Sequence, residues 1–296
     1  MARNQQPHSA VLFLISLLII ALFNNQLFVQ ANNDNNNNTC ASSDMSFSSF
    51  LRGKVALITG GGGTIGEAIA SKLVGQGASV VLVGRTLERL EKARTNVLST
   101  QAQAAKDAVS VLTCDVTKED SVVQLFSTLD ERGGVDLLVN NAGVAIGGPT
   151  EGLSGEDFSW VMNVNVVGPF LCAREALKRM KEKQGGRIIN IGSLSAISPR
   201  PDSAPYTTSK FAIMGLTHSL ALDARPYGVA VGMIHPGNVV SALLSPEEAA
   251  RREEAEGFLQ PEDVANSVLT MASLPYHANI LELTVLPTRQ PLVGRG

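Results

Sequence analysis

The chain has 296 residues, 44% of them hydrophobic and 17% charged, with a mean hydropathy of +0.12, so a sizeable core is available and wholesale disorder is excluded. A formal charge of -3 and scattered Lys and Arg argue against a nucleic-acid partner, because nothing would neutralise a phosphate backbone. The three Cys (Cys40, Cys114, Cys172) and the four distant His show no metal-ligand spacing, so no metal site is expected.

The first element is a targeting segment rather than part of a fold. Residues 10–23 form an unbroken apolar run of fourteen, preceded by Arg3. That is shorter than the ~20 residues of an ordinary membrane span and suits the core of a secretory signal. Val29-Gln30-Ala31 presents small residues where a signal peptidase reads, so residues 1–31 are expected to be a signal peptide. An uncleaved membrane anchor through residues 10–23 is the alternative. Both readings place the rest of the chain in the secretory pathway, in the endoplasmic reticulum lumen or secreted. Residues 32–52, rich in Asn and Ser, read as a disordered linker carrying the glycosylation sequon Asn37-Asn38-Thr39.

From Lys54 onward the pattern is regular. Residues 54–59 (KVALIT) form an apolar strand ending in a Gly cluster, followed by helical spacing at Ile65, Ile69 and Leu73. Residues 80–83 form a second strand, followed by a helix with Leu87, Leu90, Ala93 and Val97 on one face. Further strands are predicted at 109–113, 137–139, 187–191, 229–234 and 280–286, with helices between them, two long ones around 158–182 and 204–222. Strand–helix alternation with runs such as VVLV predicts an α/β fold, a doubly wound parallel seven-stranded sheet covered on both faces. One Rossmann-like domain over residues 53–296 accounts for it.

Three motifs fall at the ends of these strands. Thr59-Gly60-Gly61-Gly62-Gly63-Thr64-Ile65-Gly66 lies between strand one and helix one. A glycine turn lets the backbone approach a pyrophosphate, and the helix start offers free N–H groups and the positive end of its dipole. Tyr206-Thr207-Thr208-Ser209-Lys210 puts a phenol and an ammonium at i and i+4 on one helix face. A free phenol titrates near ~10, too high for acid–base work at neutral pH, and a close Lys⁺ lowers it. Ser193, in IINIGSLS at the end of strand five, precedes Tyr206 by thirteen residues.

Together these segments resemble the single-domain short-chain dehydrogenase/reductase family over about residues 53–287, whose loop reads TGxxxGxG. The resemblance implies cofactor contacts from Gly60, Gly62, Gly63, Thr64, Ile65 and Gly66. Thr64 departs from the pattern, standing where the family has its middle Gly. Gly63 is expected to absorb any unusual dihedral, leaving the Thr64 hydroxyl for a phosphate; weakened cofactor binding is the other outcome. Eighteen residues past Gly66 stands Gly84, so no carboxylate ends strand two to repel a 2′-phosphate. Arg85 follows and can pair with that phosphate, which points to NADP(H) over NAD(H). Arg89 either assists or lies on the helix surface.

The resemblance further implies that Asp115 and Val116 hold the adenine. Asn140-Asn141-Ala142-Gly143 matches the family's NNAG, with Asn141, Ala142 and Gly143 against the cofactor ribose. Pro236-Gly237-Asn238-Val239-Val240-Ser241 resembles PGxVxT and implies cofactor contacts from Pro236, Gly237 and Val239. Tyr206 is then the acid–base group, and Lys210 lowers its pKa and holds the ribose. Ser193 orients the carbonyl, with Ser195 as its neighbouring alternative. Asn165 supports a proton path to Lys210; Asn163 fits that register less well. His235 and His218 are read as packed, structural residues. The Glu/Arg run within residues 241–257 is read as a solvated helix face beside a variable substrate loop, with Pro199-Arg200-Pro201 on the other rim. The expected function is NADP-dependent hydride transfer between the nicotinamide and a small carbonyl or secondary alcohol, in a homo-oligomer (dimer or tetramer). A non-catalytic dinucleotide-binding protein and a sugar-nucleotide epimerase on the same fold are the alternatives. Roughly 50 residues after strand six leave little room for the epimerase's substrate region.

Overall fold

A computed structural model describes residues 51–101, 104–240 and 246–292. The leader at 1–31, most of the linker, the sequon at Asn37 and the substrate-loop residues Ser241, Leu243 and Leu244 lie outside the described residues. Among the described residues, no helix is long and apolar enough to cross a membrane.

The seven expected strands are all present: β1 (Val55–Thr59), β2 (Ser79–Gly84), β3 (Val109–Thr113), β4 (Leu137–Asn140), β5 (Gly186–Ile191), β6 (Val229–Pro236) and β7 (Glu282–Val285). They form one parallel sheet in the order β3-β2-β1-β4-β5-β6-β7. The central strands are apolar on both sides because both faces are covered. Ala56, Ile58, Val80, Leu82, Val139 and Ile189 face one layer, made by α1 (Thr64–Val74), α2 (Leu87–Thr100) and a late helix over Pro261–Ala272. Leu57, Val81, Val83, Leu138, Ile188 and Val231 face the other, made by α3 (Glu119–Asp130), α5 (Gly168–Lys183) and α6 (Ala204–Ala224). Alternation along each strand thus builds two cores on one sheet. Leu51, which composition placed in the linker, is buried in the first of them.

Chain order runs outward from β1 to β3 and then restarts beside β1 at β4. The crevice at the carboxyl ends of β1 and β4 is therefore the switch point where open α/β sheets take ligands. The long helix expected around 158–182 is divided. α4 (Gly155–Met162) passes through one π-helical turn at Asn163–Val167 before α5 begins. Two helices follow β6: α7 (Pro246–Ala255) and α8 (Pro261–Ala272). The stretch between α8 and β7 is fastened from below by buried Arg187, whose guanidinium donates to the carbonyls of Leu274, Pro275 and Ala278. Burial lowers the pKa of that guanidinium to about 10.

Candidate active site and dinucleotide cradle

The Gly-rich loop is held by its neighbour strand. The Thr59 hydroxyl accepts hydrogen bonds from the backbone N–H groups of Asn141 (3.0 Å) and Ala142 (3.1 Å). The Asn141 side-chain amide donates in return to the carbonyls of Thr59 and Gly60. Asn141 thus spends its amide bracing the loop. Gly60 takes φ +65°, and a Cβ there would sit 2.9 Å from Ala142 Cα. A Cβ on Gly66 would sit 2.5 Å from the Gly60 carbonyl oxygen. These positions require glycine on steric grounds.

The expectation that Gly63 absorbs an unusual dihedral is corrected by the structure. Gly63 has φ -99°, an extended value open to other residues, and Thr64 is the first residue of α1. Gly60 carries the left-handed turn instead, because that is where the loop must pass close under Ala142. Gly63, the N-cap of α1, provides no side-chain cap, so the first-turn N–H groups are left to an external acceptor. A cradle that admits no Cβ, closed by an uncapped helix start, fits a pyrophosphate.

Arg85 is exposed just past the end of β2, close enough to Asp115 past β3 for their charges to interact. Partial burial pushes the Asp115 carboxyl up. Hydrogen bonds from the Thr117 hydroxyl and amide, with Arg85 and Lys118 nearby, outweigh that and hold it below the usual carboxylate range. The Val116 side chain is buried and faces Gly168, so only its backbone remains for a ligand.

A cleft of about 860 Å³ opens over the carboxyl ends of the strands. It brings together Ile65, Asn141, Gly143, Ser193, Tyr206, Lys210, Pro236, Gly237 and Val239 among the expected residues. Gly60, Gly62, Gly63, Thr64, Arg85, Asp115, Val116 and Ala142 lie outside its lining. Tyr206 and Lys210 project from the first turns of α6, and the Lys210 ammonium lies 5.5 Å from the centre of the Tyr206 ring. Lys210 is buried, and its Nζ donates to the Ile191 carbonyl at 2.9 Å. Ser193 lies two residues past β5, and its Oγ accepts the Ser195 N–H at 3.1 Å, leaving its own hydrogen to donate outward.

Asn165 lies behind the cleft, in the π-helical turn. Its side chain pairs with the Val144 backbone in both directions, at 2.9 Å each, and donates to Ser209 Oγ at 3.0 Å. Ser209 Oγ donates to the Tyr206 carbonyl at 2.7 Å. Asn165 therefore reaches Tyr206 through Ser209.

One network at the cleft mouth has no counterpart in the sequence pattern. Arg200 and Asn238 both donate to the Glu256 carboxylate just past the end of α7, and the Asn238 backbone N–H donates to Gln290 Oε1 at 2.8 Å. The Glu/Arg run was expected to be a solvated face. Arg251, Glu253 and Glu254 are exposed, as expected, while Arg251 and Arg252 also line the cleft and Glu256 just beyond α7 ties down the rim. Gln290, near the chain's end, is buried beside Gly237. Nothing in local spacing marks it.

Comparison with known proteins agrees with this geometry. The profile of the short chain dehydrogenase family matches residues 54–252. An uncharacterised oxidoreductase of Staphylococcus aureus (strain MRSA252) is 34% identical over 238 residues, covering 80% of this chain and 98% of the relative. The human dehydrogenase/reductase SDR family member 11 is 35% identical over 256 residues, covering 81% and 96%. A crystal structure of a metagenomic short-chain oxidoreductase in complex with NADP superposes with a TM-score of 0.69 at 32% identity, covering 81% of this chain and 99% of that one. With the fold, the glycine cradle and the serine, tyrosine and lysine in one cleft, the chain belongs to the short-chain dehydrogenase family of oxidoreductases.

Proposed function

We propose that the protein interconverts a small carbonyl compound and the corresponding secondary alcohol with NADP(H), using Tyr206 as its acid–base group. The observation that carries this reading is the convergence of Ser193, Tyr206 and Lys210 on one cleft beside the glycine cradle. A bound nicotinamide supplies or accepts the hydride. The chain's own residues do the rest. The free hydrogen of the Ser193 hydroxyl is directed at the substrate oxygen and stabilises charge developing there. Tyr206 delivers its phenolic proton to that oxygen in reduction and takes it back in oxidation. Lys210, anchored on Ile191, stabilises the negative charge left on the Tyr206 oxygen. Asn165, through Ser209, fixes the turn of α6 that presents Tyr206.

Steady-state assay of the full chain over a carbonyl panel tests this. Tyr206→Phe should lower kcat by at least ~100-fold while NADPH still binds. A wild-type chain that binds NADPH but turns over no carbonyl defeats the reading. The non-catalytic alternative rested on Thr64, and the ordinary backbone there removes that support.

Preference for NADP(H) follows from Gly84 and Arg85 at the end of β2 and is supported by the relative in complex with NADP. Arg85→Ala should raise KM for NADPH by roughly tenfold, about one charge-assisted hydrogen bond, and leave KM for NADH unchanged. Equal effects on both dinucleotides would remove the assignment. We further propose a homodimer through α4, α5 and α6. Phe158, Trp160, Val167, Phe170 and Phe211 on these segments are each 38–42% exposed, an apolar surface suited to an isologous contact.

A further inference from the structure

His235 is a buried imidazole that the reaction above does not use. It is the penultimate residue of β6 and is 0% exposed. Its Nδ1 lies 3.0 Å from the Ser193 carbonyl oxygen. A carbonyl only accepts, so this bond assigns the hydrogen to Nδ1. Nε2 then turns away from the cleft, buried and without a hydrogen-bond partner, and faces Glu282 Oε2 at 3.4 Å.

Glu282 opens β7 opposite Met233 of β6. Met233 and His235 are two residues apart and so share a face of the sheet, which makes Glu282 and His235 diagonal neighbours on it. That face is the one covered by α6. The second carboxylate oxygen of Glu282 meets Nε2 of His218, two turns beyond Lys210 on α6. That carboxylate holds β7 to α6 through His218, whereas with the hydrogen on Nδ1 it only lies near His235 Nε2, acceptor facing acceptor.

Packing alone does not account for this arrangement. A leucine would fill the end of β6 without placing a polar ring atom in the interior, where an unpaired nitrogen is costly. The imidazole is distinguished by reaching the one carbonyl whose residue presents its hydroxyl to the substrate. The same strand end continues into Pro236, Gly237 and Val239, which line the cleft.

We infer that His235 is a positioning residue: its Nδ1–H clamps the Ser193 turn to β6, and so sets the Ser193 hydroxyl relative to the Tyr206 phenol. The inference rests on the oxidoreductase reading for its catalytic consequence. The clamp itself rests on the distances above.

The test uses the full chain and the variants His235→Leu, His235→Asn and His235→Phe. Amide hydrogen exchange over residues 192–200 reports the clamp without any turnover, and kcat and KM for NADPH report its effect. His235→Leu should speed exchange in that turn and lower kcat by about ten- to a hundred-fold, the scale of a small misplacement of a reacting group, with KM for NADPH within about twofold. His235→Asn should recover protection and most of kcat, because its amide N–H replaces Nδ1–H. His235→Phe, a ring of similar size with no donor, should behave as His235→Leu does. Should His235→Leu fail to fold, His235→Phe takes its place, and unchanged exchange in the turn of that folded variant overturns the inference. It is equally overturned if folded His235→Leu leaves exchange in the turn unchanged, or if Asn restores no more than Leu. A wild-type chain with no turnover would defeat the oxidoreductase reading, while the exchange measurement would still decide the clamp.

Discussion

Thr64 and Gly66 sit two residues apart in the first turn of α1 and have opposite tolerance. Thr64 starts α1 and is exposed, so its side chain is not packed into the loop. Thr64→Gly should leave KM for NADPH within about twofold and lower stability by less than about 1 kcal/mol, the cost of glycine in a helix. Gly66→Ala should do the reverse, because the new Cβ would lie 2.5 Å from the Gly60 carbonyl oxygen. Relieving that overlap costs about 1–3 kcal/mol, which should raise KM for NADPH by roughly tenfold or more. Thermal melts and initial rates of the two variants check the pair. The sequence shows the loop but cannot show which of four consecutive glycines must bend. That choice is made by Ala142, eighty-two residues from Gly60, where two backbones come within contact.

At the scale of elements, the π-helical turn between α4 and α5 decides where Asn165 points. Apolar spacing over 158–182 is continuous across it and predicts one helix, because a single extra residue in the hydrogen-bond ladder barely disturbs a short-range pattern. The turn aims Asn165 inward, where it satisfies both the N–H and the carbonyl of Val144. Asn165→Ala strands those two groups. Stability should fall by about 2–3 kcal/mol, the cost of leaving buried backbone groups unpaired, and kcat should fall with it as the Ser209 link to Tyr206 is lost. Chemical denaturation and steady-state kinetics measure the two effects separately. A kcat unchanged in a folded variant would deny Asn165 any part in holding Tyr206. The Ser193, Tyr206 and Lys210 assignments differ in kind: their spacing survives translation into structure because a strand end and a helix start are rigid frames.

For the whole molecule, the apolar residues on α4, the π-helical turn, α5 and α6 make a claim about assembly. Light scattering should give wild type twice the mass of one chain. Phe170→Glu, at a position 42% exposed, should give a folded monomer, because the charge would be buried unpaired only in the contact. A wild-type monomer would remove the dimer. The seven parallel strands and the covering of both sheet faces were legible from sequence, since continuous apolar strand runs and helical stripes alternate after Lys54. The rim of the cleft was not. Glu256 follows a charged run that alone looks solvated, and it is drawn inward only because Arg200 and Asn238 supply a partner for its carboxylate.

The sequence by itself determined the order of strands and helices, the place of the glycine cradle, and the serine, tyrosine and lysine of the cleft. Each of those rests on residues close together in the chain, whose spacing is carried by a strand or a helix. Only the tertiary structure decided that Gly60 takes the strained turn, that Asn165 works through Ser209, that Gln290 closes on Asn238, and that His235 reaches Ser193. These contacts join residues 42 to 82 positions apart and depend on which strands lie side by side. Hydrogen bonds between such groups depend on distance and angle in space, and the period of a local pattern contains neither.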